Sequence, residues 1–114
     1  MTKFMVLLRG NPTGYQSLSP EQMQQITKKW MDWRQGLEKG GYLYQAGERL
    51  DGSGKVVRGK SKTVTDGPYV EVKDSIQGHL FLETKDIDQA VELVKACPIL
   101  EGDGSVEIRP FYSN

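Results

Sequence analysis

The amino-acid sequence predicts an α+β domain in which two helices lie on one face of an antiparallel sheet. Three observations carry this. Residues 19–41 and 86–98 each show apolar side chains at helical spacing between a cap signal and a stop signal. Short β-prone runs surround them, at 3–9, 42–50, 76–84 and 105–111. Glycine-rich punctuation between residues 51 and 67 folds two further short runs, 55–58 and 62–65, into a hairpin. With that hairpin set aside as an insertion, the order is strand, helix, strand, strand, helix, strand, the ferredoxin-like split βαβ arrangement. At 114 residues the chain suffices for one core and not for two, so 1–114 is read as a single domain.

The elements follow in order. Residues 3–9, Lys-Phe-Met-Val-Leu-Leu-Arg, are continuously apolar between two cations, the mark of a strand covered on both faces. Pro12 and Gly14 place a loop after it. Ser19 is the N-cap of the first helix, Pro20 its first residue, and Gln22 completes a capping box. Met23, Ile26, Trp30, Trp33 and Leu37 form one apolar stripe, and Lys39-Gly40-Gly41 ends the helix. Gly36 costs about 1 kcal/mol against alanine there, and a close approach to the sheet is the expected reason for it. Asp86 caps the second helix with Gln89 three residues on. Its buried face is expected to comprise Ile87, Ala90, Val91, Val94 and Cys97, and Pro98 stops it. Residues 99–104 read as a loop.

Composition excludes several function classes. Fifteen Lys and Arg balance fifteen Asp and Glu, for a formal net charge of +0, so no nucleic-acid partner is expected. One cysteine and one histidine leave no basis for a disulfide, a structural metal site or a haem, and no metal or other cofactor is expected. Asp51-x-Ser53-x-Lys55 and Asp86-x-Asp88 lack the spacing of a calcium loop, and Gly52 and Gly54 lack the context of a phosphate loop. The apolar run at the amino end is too short for a signal peptide or a membrane span. A cytoplasmic protein without a membrane partner is therefore the expectation.

Asp66-Gly67-Pro68 specifies a rigid corner. Proline fixes its own φ and biases the residue before it, which here is the permissive glycine. Asp66 is expected to bond backbone amides just beyond it, as Asx turns do. These residues also carry a resemblance. Thr65-Asp66-Gly67-Pro68-Tyr69-x-Glu71, then Ile76-Gln77-Gly78, Cys97-Pro98 and Val106-Glu107-Ile108-Arg109-Pro110, resemble the YCII-related family in its DGPF-domain branch, over nearly the whole chain. Tyr69 stands where the signature usually has phenylalanine, and His79 where branch members more often carry an aromatic such as tyrosine. The resemblance implies a dimeric α-β barrel in which two sheets pack face to face, a homodimer, and a His–Asp pair for chemistry. It leaves open whether His79 is that histidine. It also implies two function classes, a small enzyme or a module linked with sigma factors of the extracytoplasmic type.

Strand alternation sorts the candidate site. Leu80 and Leu82 belong on the helix side, which leaves His79, Phe81 and Glu83 on the bare side. Val106 and Ile108 likewise oppose Glu107, Arg109 and Phe111, and Phe4, Val6 and Leu8 oppose Met5, Leu7 and Arg9. A bare face so rich in apolar groups seldom stays wet in a monomer. A partner sheet would enclose a cavity with a few convergent polar groups, the form ligand sites take. Asp66 and His79 are the candidate catalytic residues, as general base, orienting partner or acid–base group. The plainer roles are a turn aspartate and a strand histidine satisfied by Glu83. Arg9, Tyr69, Glu83 and Arg109 are the candidate substrate-binding residues. The two arginines suit a carboxylate or phosphate, or else answer Glu83 and Glu107 across the sheet. The expectation for function is a cofactor-independent enzyme using acid–base chemistry on a small organic molecule in a dimer-lined cavity. The alternative is a non-catalytic ligand- or partner-binding module.

Overall fold

A computed structural model gives the structure of residues 1–11, 17–67 and 74–112. The elements are β1 (Thr2–Arg9), α1 (Pro20–Lys39), β2 (Leu43–Gln45), β3 (Lys55–Arg58), β4 (Thr63–Asp66), β5 (Ile76–Thr84), α2 (Ile87–Val94) and β6 (Ser105–Pro110). Four strands form one sheet in the order β2-β5-β1-β6, with every neighbouring pair antiparallel. β1 and β2 therefore run parallel with β5 inserted between them, which is the split βαβ topology. β3 and β4 make a separate two-stranded sheet.

The core lies between the sheet and the helices. Phe4, Val6 and Leu8 of β1 and Leu80 and Leu82 of β5 are buried, and they meet Trp33 and Leu37 of α1 and Ala90 and Val94 of α2. The intervening residues on both strands are only half-buried. Both capping-box bonds of α1 form, Ser19 N–H to Gln22 Oε1 at 2.9 Å and Gln22 N–H to Ser19 Oγ at 3.1 Å. The Trp33 indole donates to the Leu93 carbonyl at 3.0 Å and ties α1 to α2. Asp86 caps α2 through the Gln89 amide at 2.9 Å.

Cys97 is buried beyond the end of α2, and burial pushes its thiol up to about 11. Only the thiolate reacts, so at pH 8 the native thiol should react with a disulfide reagent at least about a hundredfold more slowly than the unfolded chain. Equal rates would show that the helix end opens readily.

Several expectations are corrected. The strand expected over 42–50 ends at Gln45 after a register shift, and pairing resumes only as a bridge between Arg49 and Gly78. Pro98–Glu101 is a 3-10 helix within the expected loop, started by proline at its first position. Ile87 is exposed, because it opens α2 instead of lying on its inner face. Gly36 faces open space, so close approach is not its purpose. Lys62 sits in the hairpin turn with φ 56°, and β4 starts one residue later.

Candidate functional site

The pleat of β1, β5 and β6 builds one continuous surface on the side away from the helices. Register arranges it in rows. His79 of β5 lies opposite Leu7 of β1, and Leu7 opposite Glu107 of β6. Phe81 lies opposite Met5, and Met5 opposite Arg109; Glu83 lies opposite Lys3. Phe111 reaches across to stack on Phe81, with ring centroids 6.0 Å apart and an interplanar angle of 13°. The His79 and Phe81 rings meet T-shaped, with centroids 5.6 Å apart and an interplanar angle of 82°. An apolar centre of Met5, Leu7, Phe81 and Phe111 is thus bordered by His79, Glu83 and Arg109.

His79, Glu83 and Arg109 share this face. Arg109 and Glu83 form no ion pair among the described residues, and Arg109 is exposed. Arg9 is committed elsewhere: its Nε and Nη2 reach Glu107 Oε1 at 3.1 and 3.0 Å, and its Nη1 donates to the Asp74 carbonyl at 3.0 Å. All three guanidinium nitrogens are occupied. Of the two ion pairs anticipated across the sheet, one forms.

Asp66 lies on the separate hairpin. Its carboxylate accepts from the Lys55 ammonium across the ribbon and is largely exposed. The Gly67 amide donates to the Gly54 carbonyl at 2.8 Å, so the Asx-type bond to that amide does not form. Tyr69 and Pro68 lie outside the described residues, as do Pro12 and Gly14.

Two features of the face were not anticipated. Lys3 lays its ammonium over the Tyr44 ring, 4.0 Å from the centroid, a cation–π contact at the β2 edge. Alternation from Met5 and Leu7 would have put Lys3 on this side. Gly47 passes against His79 so closely that a Cβ there would stand 1.7 Å from the His79 carbonyl oxygen and 2.9 Å from its Cδ2. Glycine is therefore required where the loop after β2 crosses His79.

The helices, the four-strand order and the face geometry invite a comparison with known families. The model of the YCII-related domain matches residues 2–113. The chain belongs to the YCII-related family. A search of curated proteins finds no match. In this YCII-related protein no group of three His, Cys, Asp or Glu side chains could hold a metal ion among the described residues. No helix among them is long and apolar enough to cross a membrane.

Proposed function

We propose that this YCII-related protein is a cytoplasmic homodimer whose two bare sheet faces enclose a cavity for a small organic molecule, on which His79 performs acid–base chemistry without a cofactor. The observation that supports this is the face itself: one imidazole packed T-shaped on Phe81, with Glu83 and Arg109, the latter in no ion pair among the described residues, around an apolar centre. Apolar surface of that extent calls for a cover. Once covered, it offers a few polar groups among apolar walls, the usual composition of a ligand site. In this reading Arg109 anchors an anionic group, the Phe81–Phe111 stack holds the carbon skeleton, and His79 takes or gives a proton. Arg9 and Glu107 form a wall.

A mixture of small carboxylic acids in D2O tests it. His79 ring resonances should shift on addition, and the acidic C–H of the bound member should exchange with solvent. His79→Gln should abolish exchange while keeping affinity within about threefold, and Arg109→Met should weaken binding about tenfold. No His79 shift with any member would overturn the reading.

One observation favours the alternative of a non-catalytic ligand- or partner-binding module, of the kind the DGPF branch links with extracytoplasmic-type sigma factors. Asp66 is held by Lys55 on the hairpin, so within one chain it is not an orienting partner for His79. Binding without exchange would select this alternative.

A further inference from the structure

We infer that the ligand of the bare face is an ω-amino carboxylate, a molecule with an ammonium at one end, a carboxylate at the other and an apolar stretch between. This rests on the ligand site proposed above and adds a role for Glu83, as the seat of the ammonium. Glu83 is half-buried, and its carboxylate joins no ion pair and no hydrogen bond among the described residues. A counterion stands close by. Lys3 lies directly opposite Glu83 in the β1–β5 register, a placement in which opposite charges ordinarily attract. The Lys3 ammonium instead lies over the Tyr44 ring, 4.0 Å from the centroid. A half-buried carboxylate without a partner, beside a lysine turned elsewhere, is an acceptor open to another cation.

Arg109 is the opposite case on the same face, a guanidinium in no ion pair among the described residues. The register shows what keeps the two apart. Phe81 and Arg109 both lie opposite Met5, and β5 and β6 both run antiparallel to β1. Glu83 follows Phe81 by two residues, and Phe111 follows Arg109 by two. These four residues therefore stand at the corners of one patch. The Phe81–Phe111 stack runs along one diagonal, and Glu83 and Arg109 end the other. Strand spacing puts the Cα atoms of Glu83 and Arg109 roughly 12 Å apart, with the two rings between. A molecule crossing the stack along that diagonal sets its anionic end on Arg109 and its cationic end on Glu83. Its middle lies on the rings and is apolar for that reason. The rings also favour the ammonium, since a cation is drawn to an aromatic face. An α-amino acid head carries both charges on one carbon, too close together to reach both corners.

Three probes with the same carbon chain read this out: 5-aminopentanoate with its charges at opposite ends, 2-aminopentanoate with both at one end, and pentanoate without the amine. Calorimetry on the native protein should show 5-aminopentanoate binding at least about tenfold tighter than either of the others. Glu83→Gln should bring 5-aminopentanoate within about threefold of pentanoate, and should change pentanoate itself by less than about threefold. Arg109→Met should weaken both about tenfold. Lys3→Met removes the lysine opposite Glu83 and should leave the preference in place. Pentanoate or 2-aminopentanoate binding as tightly as 5-aminopentanoate, with the His79 ring shifted by each, would overturn the ω-amino carboxylate and leave the ligand site standing. No binding and no His79 shift with any of the three would overturn both. Equal losses of thermal stability in Glu83→Gln and Lys3→Met, with the preference intact in each, would make Glu83 the partner of Lys3 and overturn the proposal.

Discussion

Gly47→Ala should lower stability by about 3 kcal/mol, near the upper end of what a forced methyl costs in a packed site. The added Cβ would lie 1.7 Å from the carbonyl oxygen and 2.4 Å from the carbonyl carbon of His79, so backbone must move. A side-chain rotation cannot relieve it. The displaced segment carries the bonds that hold the loop after β2 to β5: His79 N–H to the Glu48 carbonyl at 3.3 Å and Leu50 N–H to the Gln77 carbonyl at 2.8 Å. Losing these with the strain should lower the thermal midpoint by roughly 10 °C or more for a domain of this size. Because the clash falls on His79, its ring resonances should move in the same variant. Gly36→Ala is the internal control. Nothing lies within 4 Å of that position, and the change should stabilise α1 by up to about 1 kcal/mol. A Gly47→Ala protein as stable as the native chain would mean that the loop does not hold its place on β5.

The contrast between these two glycines shows where reading from sequence stops. Helical spacing marks Gly36 as costly, yet only packing tells that nothing approaches it. Gly47 sits in what reads as an ordinary β-prone run, and the crossing over His79 that ends β2 early is a tertiary event. Local signals were legible: the Ser19–Gln22 box, the Asp86 cap and the alternation of β1 and β5 each depend on neighbours a few residues apart. Pairings across the chain were legible only in part. Alternation puts the arginines and glutamates on one face, but only the β1–β6 register brings Arg9 to Glu107, 98 residues away, and no spacing rule says that Arg109 and Glu83 stay apart. Asp66 joins Lys55 because the hairpin register sets them opposite, which a corner read for its own turn chemistry does not foretell.

Phe81→Asp should convert the proposed dimer to a folded monomer. Phe81 is half-buried on the bare face, in ring contact with both His79 and Phe111, and it is not part of the core beneath the helices. In a single chain the new carboxylate would point away from the helices and stay hydrated, at little cost to folding. In a dimer built on that face, symmetry would bury two carboxylates in apolar surroundings, each costing several kcal/mol. Dimerisation should then weaken by at least about a thousandfold, since every 1.4 kcal/mol is a factor of ten. Light scattering at micromolar concentration should fall from twice the 12.8 kDa chain mass to once that mass. Leu82→Asp separates this effect from general disruption. Leu82 is fully buried beneath the helices one residue further along β5, and an unpaired charge there should unfold the chain. If Phe81→Asp leaves the dimer intact, the interface lies elsewhere and the cavity proposed for His79 is lost with it. If it gives a folded monomer that no longer shifts His79 with any carboxylic acid, the ligand site and the interface share this face.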